Sequence, residues 1–136
     1  MYEKFGQFID GSWSPSSNKE TYEVINPATE EVLGHASKAT PEDVDRALKS
    51  AEKGLAVWKK ITPWERSYIL RRIADKLREK KDVLAKWMTL ENGKPLAEGV
   101  GETNGAADIF EWNAEETKRI FGQTIESRFE DTRVHV

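Results

Sequence analysis

Apolar and polar positions change their period along the chain, and the change divides it into three parts. The first part is made of short runs bounded by turn residues. Phe8-Ile9 and Ser12-Trp13 flank Asp10-Gly11, a dipeptide suited to a type I′ hairpin turn. Pro15-Ser16-Ser17-Asn18 has loop composition. Thr21 to Ile25 alternates, with Tyr22 and Val24 on one face, and Asn26-Pro27 ends it because a residue before proline is biased away from helix. Ala28 to Glu31 turns the chain back into a further short strand, Val32 to Ala36. A small antiparallel β unit over residues 5–36 is predicted.

The period then lengthens to that of helices, with explicit start signals. Thr40-Pro41-Glu42-Asp43 offers an N-cap, a proline at the first helical position and early acids. Behind it Val44, Ala47, Leu48, Ala51, Leu55 and Trp58 predict one buried stripe. Thr62-Pro63-Trp64-Glu65 is a capping box, and Ile69, Leu70, Ile73 and Leu77 are its helix's expected inner face. After a polar run, Asp82 is the expected cap of a third helix, with Val83, Leu84, Trp87 and Met88 inward. Asn92-Gly93 stops that helix and Pro95 starts the next, so Thr89 to Leu96 forms a tight helix-to-helix corner.

The longest periodic segment follows. Leu96, Val100, Thr103, Ala107, Phe110, Ala114, Thr117 and Phe121 alternate steps of four and three, one face of a helix reaching Gly122. From Pro95 to Phe121 it would be ~40 Å long at 1.5 Å per residue. Four helices within 41–122 are therefore expected. Thr124-Ile125 and Thr132 to Val136 then have strand character around a polar stretch. The last residues read as a strand stopped mid-run, as in a chain cut inside a larger fold.

Composition narrows the function classes. With 136 residues the chain is long enough for one domain with a real core. Its 21 Lys+Arg and 24 Asp+Glu give a net charge of −3, with the signs mixed, which argues against nucleic acid as a partner. No apolar run approaches the ~18 residues a membrane span needs, and Met1 to Phe5 carry no signal-peptide core. Zero cysteines fit a cytoplasmic setting and exclude disulfides, thiolate metal sites and a cysteine nucleophile within these residues.

Candidate chemistry is sparse. Gly99-Val100-Gly101-Glu102-Thr103-Asn104-Gly105 has Asn104 where a dinucleotide loop needs its third glycine, and it sits inside a helix, so its glycines read as packing contacts. His35 and His135 have no helix-spaced ligand companion. Lys94 reads as a solvated lysine beside a helix start. Glu111, Glu115 and Glu116, near Lys118 and Arg119, read as ordinary surface pairs. Trp58 and Trp87 fit apolar stripes. No complete catalytic constellation is present.

The order of segments nevertheless resembles the start of an NAD(P)-dependent aldehyde dehydrogenase. The similarity runs through Phe8-Ile9-Asp10-Gly11-Ser12-Trp13, Val24-Ile25-Asn26-Pro27-Ala28-Thr29, Glu31-Val32-Leu33-Gly34 and Glu42 to Ala47. It continues through Glu65-Arg66, Thr89 to Pro95 and Gly122-Gln123-Thr124-Ile125. Glu111 to Ile120 is most similar to the succinate-semialdehyde dehydrogenase branch. The resemblance implies an α+β fragment of the α/β aldehyde dehydrogenase fold. Residues 1–123 would be the N-terminal part of the cofactor-binding domain and 124–136 the beginning of the oligomerisation arm.

The same resemblance places the family's cysteine nucleophile, general-base glutamate, cofactor segment and oxyanion asparagine beyond Val136. No catalytic or cofactor-binding residue is therefore expected here. NAD or NADP would serve the intact enzyme and would not bind this chain tightly, and the isolated chain would be inactive. A structural Na⁺ or K⁺ is implied at the carbonyls of Val24 and Ile25 with Glu91, and a substrate tunnel beside Gly105, Ile109 and Trp112. The expected partner is the remainder of an aldehyde dehydrogenase, or a second copy through the 124–136 strand, giving a homo-oligomer. The rival expectation is a non-catalytic helical interaction module.

Overall fold

The turns of the first part place its strands. In this computed structural model, which describes residues 6–136, β1 (Gln7–Ile9) pairs antiparallel with β2 (Ser12–Ser14). Asp10 at φ 55° and Gly11 at φ 78° both take the positive values of a type I′ turn. Phe8 sits opposite Trp13, with ring centroids 5.2 Å apart. In the next hairpin β3 (Thr21–Ile25) pairs with β4 (Val32–Ser37). The Asn26 side chain accepts from the Ala28 N–H at 3.0 Å, and the Asn26 N–H donates to the Glu31 carbonyl at 2.9 Å. The expected small antiparallel β unit is built of two two-stranded ladders. Its predicted first residue, Phe5, lies outside the described residues.

One carboxylate ties the first hairpin and the following loop to α1 (Pro41–Trp58). Asp43 accepts from the Ser17 hydroxyl at 2.6 Å, the Ser17 N–H at 3.1 Å, the Thr40 N–H at 3.0 Å and Gln7 Nε2 at 3.3 Å. Arg46 adds a 2.7 Å ion pair. Asp43 and Thr40 also complete a capping box. The stripe predicted on α1 is not buried. Val44, Leu48 and Leu55 face solvent, Leu48 at 62% exposure, because the element α1 meets most closely is β1 rather than another helix.

The helical body is built on α4 (Leu96–Glu116), which packs against both α2 (Pro63–Glu79) and α3 (Lys81–Asn92). Its core is made of small side chains. Ser67 and Ala74 on α2, Ala85 on α3, and Gly99, Thr103, Ala107 and Ala114 on α4 are buried. A Cβ at Gly99 would meet the Ala85 carbonyl oxygen at 3.0 Å, so the backbones of α3 and α4 nearly touch there. Gly101 and Gly105, also expected to pack, would present a Cβ to open space.

On α2 the buried residues are Ser67 and Ala74, and of the predicted aliphatic face Leu70 and Leu77 are half-buried. Arg71 pairs with Glu111 and Glu115, and Arg78 with Asp108 at 2.8 Å and Glu111 at 2.6 Å. These pairs cross between helices, which corrects the reading of Glu111 and Glu115 as ordinary surface residues. Lys118–Glu115 and Arg119–Glu116 are the local pairs that were expected. Ile69 and Ile73 stay exposed and, with Leu77 and Leu84, border an apolar groove of about 410 Å³. Val83 is exposed as well, and Trp58 and Trp87 are half-buried. The expected core is correspondingly small, because the buried apolar side chains of the described residues are four alanines.

Element ends shift by a few residues. α3 begins at Lys81, capped by Lys80 without a side-chain bond, so Asp82 lies in the first turn rather than at the cap. Pro95 is the N-cap of α4 and Leu96 its first helical residue. The helix ends at Glu116 and tightens into a 3₁₀ turn over Thr117–Arg119, and Ile120 at ψ 82° leaves helical geometry. Its 21 residues span ~30 Å rather than ~40 Å. Gly122 therefore acts by close approach, since a Cβ there would stand 2.6 Å from the Val136 carbonyl oxygen. Beyond it β5 (Thr124–Glu126) and β6 (Arg133–His135) pair antiparallel with all their residues exposed. Among the described residues no helix is long and apolar enough to cross a membrane.

Candidate functional site

The corner between α3 and α4 meets the turn of the second hairpin. Gly93 takes the left-handed conformation at φ 80° and its N–H donates to the Thr89 carbonyl at 2.9 Å. A Cβ on Gly93 would stand 3.1 Å from Pro27 Cγ, so the corner and the Asn26-Pro27 turn are in contact. Glu91 and the Val24-Ile25 pair thus lie on elements that touch. The strand register shifts between Val24 and Ile25, a bulge that loosens the ladder there.

Glu91 is exposed, and the Thr89 hydroxyl is buried without a hydrogen-bond partner. Among the described residues there is no cluster of three His, Cys, Asp or Glu able to hold a metal. A cation at the corner would therefore depend on backbone carbonyls. That donor set fits a hard monovalent ion. Lys94, expected to be solvated, is only 22% exposed and pairs with Glu102. The corner turns its ammonium back over α4, whose Glu102 lies one turn beyond Glu98.

Gly105, Ile109 and Trp112 recur at i, i+4 and i+7 and share one face of α4. Ile109 and Trp112 are 64% and 69% exposed, and the space beside Gly105 is open. Ile109 also borders a cavity, with Trp58 and Phe110.

Gly99 and Gly101 lie inside α4, with Gly99 against the Ala85 backbone, so this glycine run is not a pyrophosphate-cradling loop. His35 and His135 lie on different hairpins, His135 within 3.1 Å of the Thr124 hydroxyl. Sequence reasoning missed the hub at Asp43. Its signal was there: an acid three residues after a threonine cap closes a capping box even when it is Asp rather than Glu.

Comparison with known proteins gives a consistent result. The model of the aldehyde dehydrogenase family matches residues 13–136. A glutarate-semialdehyde dehydrogenase of Pseudomonas aeruginosa is 43% identical over 129 residues, covering 95% of this chain and 27% of that protein. A succinate-semialdehyde dehydrogenase [NADP(+)] of Escherichia coli is 42% identical, covering 94% and 27%. A betaine aldehyde dehydrogenase of Staphylococcus aureus, solved with NAD⁺, superposes with a TM-score of 0.91 at 34% identity, over 97% of this chain and 27% of that one. A succinate-semialdehyde dehydrogenase of Burkholderia pseudomallei gives 0.90 at 40%, over 93% and 26%. The chain thus spans about a quarter of the length of the relatives it matches, and its hairpins and four helices are an N-terminal part of their fold. The chain belongs to the aldehyde dehydrogenase family.

Proposed function

We propose that this chain is the N-terminal scaffold of an NAD(P)⁺-dependent semialdehyde dehydrogenase and has no oxidoreductase activity alone. The observation that carries the reading is the similarity over residues 13–136 to semialdehyde dehydrogenases. In the complete enzyme an aldehyde and water become a carboxylic acid, with a hydride passing to NAD(P)⁺. The substrate class is a short dicarboxylic semialdehyde. The identities of 43% and 42% favour glutarate and succinate semialdehyde about equally. The chain contains no cysteine, so it supplies no thiolate for covalent aldehyde chemistry. Purified chain incubated with NAD⁺ or NADP⁺ and either semialdehyde should form no reduced cofactor. Reproducible formation above the cofactor blank would overturn the reading.

Within that enzyme, residues 6–123 would pack as part of the cofactor-binding domain, and the exposed hairpin over 124–136 would join subunits of a cytoplasmic homo-oligomer. The open α4 face of Gly105, Ile109 and Trp112 would line the route to the aldehyde. The Val24 and Ile25 carbonyls with Glu91 would hold Na⁺ or K⁺, fixing the corner against the β turn. Support for the cation comes from the bulge at Val24-Ile25 and the Gly93–Pro27 contact. Thermal melts in KCl should exceed those in N-methylglucamine chloride of equal ionic strength by about 2 °C or more. Identical melts would remove the cation site.

A further inference from the structure

A cavity of about 370 Å³ opens where the last turn of α1, the start of α2 and the last two turns of α4 meet. Trp58, Leu70 and Phe110 wall it with half-buried apolar surface, and the exposed Ile109 and Ile120 stand at its edge. Its volume lies in the range of small-molecule sites. Of its lining residues the family reading above uses Ile109 alone, at the edge.

The recess carries one cation without a counter-charge. Arg66 lies 5.9 Å from the centre of the Trp58 ring, and its Nη2 makes a long 3.3 Å bond to the Lys59 carbonyl. Its Nε is buried with no acceptor, and among the described residues no carboxylate pairs with it. Arg46, Arg71, Arg78, Arg119 and Arg133 have such a partner, whereas Arg72, over the Tyr68 ring, and Arg128 do not among the described residues. Glu116, the acid on the cavity wall, is held by Arg119. The Asn113 amide donates to the Ile109 carbonyl at 2.8 Å, which leaves its oxygen uncommitted.

A guanidinium short of acceptors beside apolar walls is costly to leave unpaired, and an anionic oxygen relieves that cost. We propose that this cavity binds a small monocarboxylate with a flat apolar body. The carboxylate pairs with Arg66, and the body lies against Trp58, Leu70 and Phe110. One unpaired cation, with the Glu116 carboxylate also on the wall, suits a single negative charge better than a phosphate dianion.

Phenylacetate titrated into the ¹⁵N-labelled chain tests it, with the Trp58 indole N–H assigned by Trp58→Phe. The expected result is a saturable shift of that resonance and of the Leu70 and Asn113 amides. Phenylacetamide, neutral and of the same shape, should bind about tenfold more weakly, as should phenylacetate to Arg66→Gln. Ile109→Trp, at an exposed position, should block the mouth and abolish the shifts without disturbing the fold. Absence of saturable shifts, equal binding of acid and amide, or unchanged binding to a folded Arg66→Gln would each overturn the proposal. Should Arg66→Gln fail to fold, the acid–amide comparison and Ile109→Trp decide it.

Discussion

Asp43 is 1% exposed yet stays ionised, and its neighbours explain how. The Ser17 hydroxyl first, then the Thr40 and Ser17 N–H groups and Arg46, hold its carboxyl far below the usual carboxylate range, against the opposing pull of burial. A depressed folded value means the unfolded chain takes up the proton first as pH falls. The stabilisation is therefore full above the ordinary range near pH ~4 and declines toward the depressed folded value. Asp43→Asn replaces an acceptor-only group with one that also carries donors facing donors. Its melting temperature should fall by about 5 °C or more at neutral pH, and the gap should narrow as pH drops below ~4. Circular-dichroism melts of both proteins across that range measure it. No gap at neutral pH would mean that the hub does not hold the hairpin and loop to α1.

The α3–α4 crossing depends on how close two backbones come, and two glycines on one helix separate that effect from helix propensity. Gly101→Ala meets nothing within 4 Å and should stabilise by about 0.5–1 kcal/mol, the ordinary gain of alanine over glycine in a helix. Gly99→Ala must push against the Ala85 backbone at 3.0–3.1 Å, and should destabilise by about 1 kcal/mol after that gain is subtracted. Denaturant unfolding of the two variants compares them directly. The elements themselves were legible in the sequence. The Asp10-Gly11 turn, both threonine caps and the Asn92-Gly93 stop are local chemistry, settled by residues within four positions of each other. Which side of each helix is buried was not legible. Periodicity reports every apolar stripe, and α2 carries an aliphatic stripe as well as the Ser67-Ala74 face that α4 takes. The choice fell to α4, whose acids Asp108, Glu111 and Glu115 meet Arg71 and Arg78, over a sequence distance no local pattern spans. The early end of α4 at Glu116 has the same character, since Gly122 answers to Val136 rather than to the helix.

Among the described residues the fully buried apolar side chains are alanines, and many large apolar ones lie outside. Leu48 and Leu55 on α1, Ile69 and Ile73 on α2, and Ile120 and Phe121 beyond α4 are exposed, while alanines fill the centre. Contiguous apolar surface of this kind marks interaction faces. In the proposed enzyme these faces lie against the rest of the polypeptide and against other subunits. The candidate cation and tunnel residues became legible only through family resemblance, because carbonyl ligands and an open helix face leave no mark in residue type. The most direct test is a chimera. This chain, joined to the part of the Escherichia coli succinate-semialdehyde dehydrogenase that follows its matching segment, would be assayed with NADP⁺ and succinic semialdehyde. The predicted result is steady NADPH formation that depends on the aldehyde. A folded chimera that binds NADP⁺ and turns over no semialdehyde would contradict the proposed function.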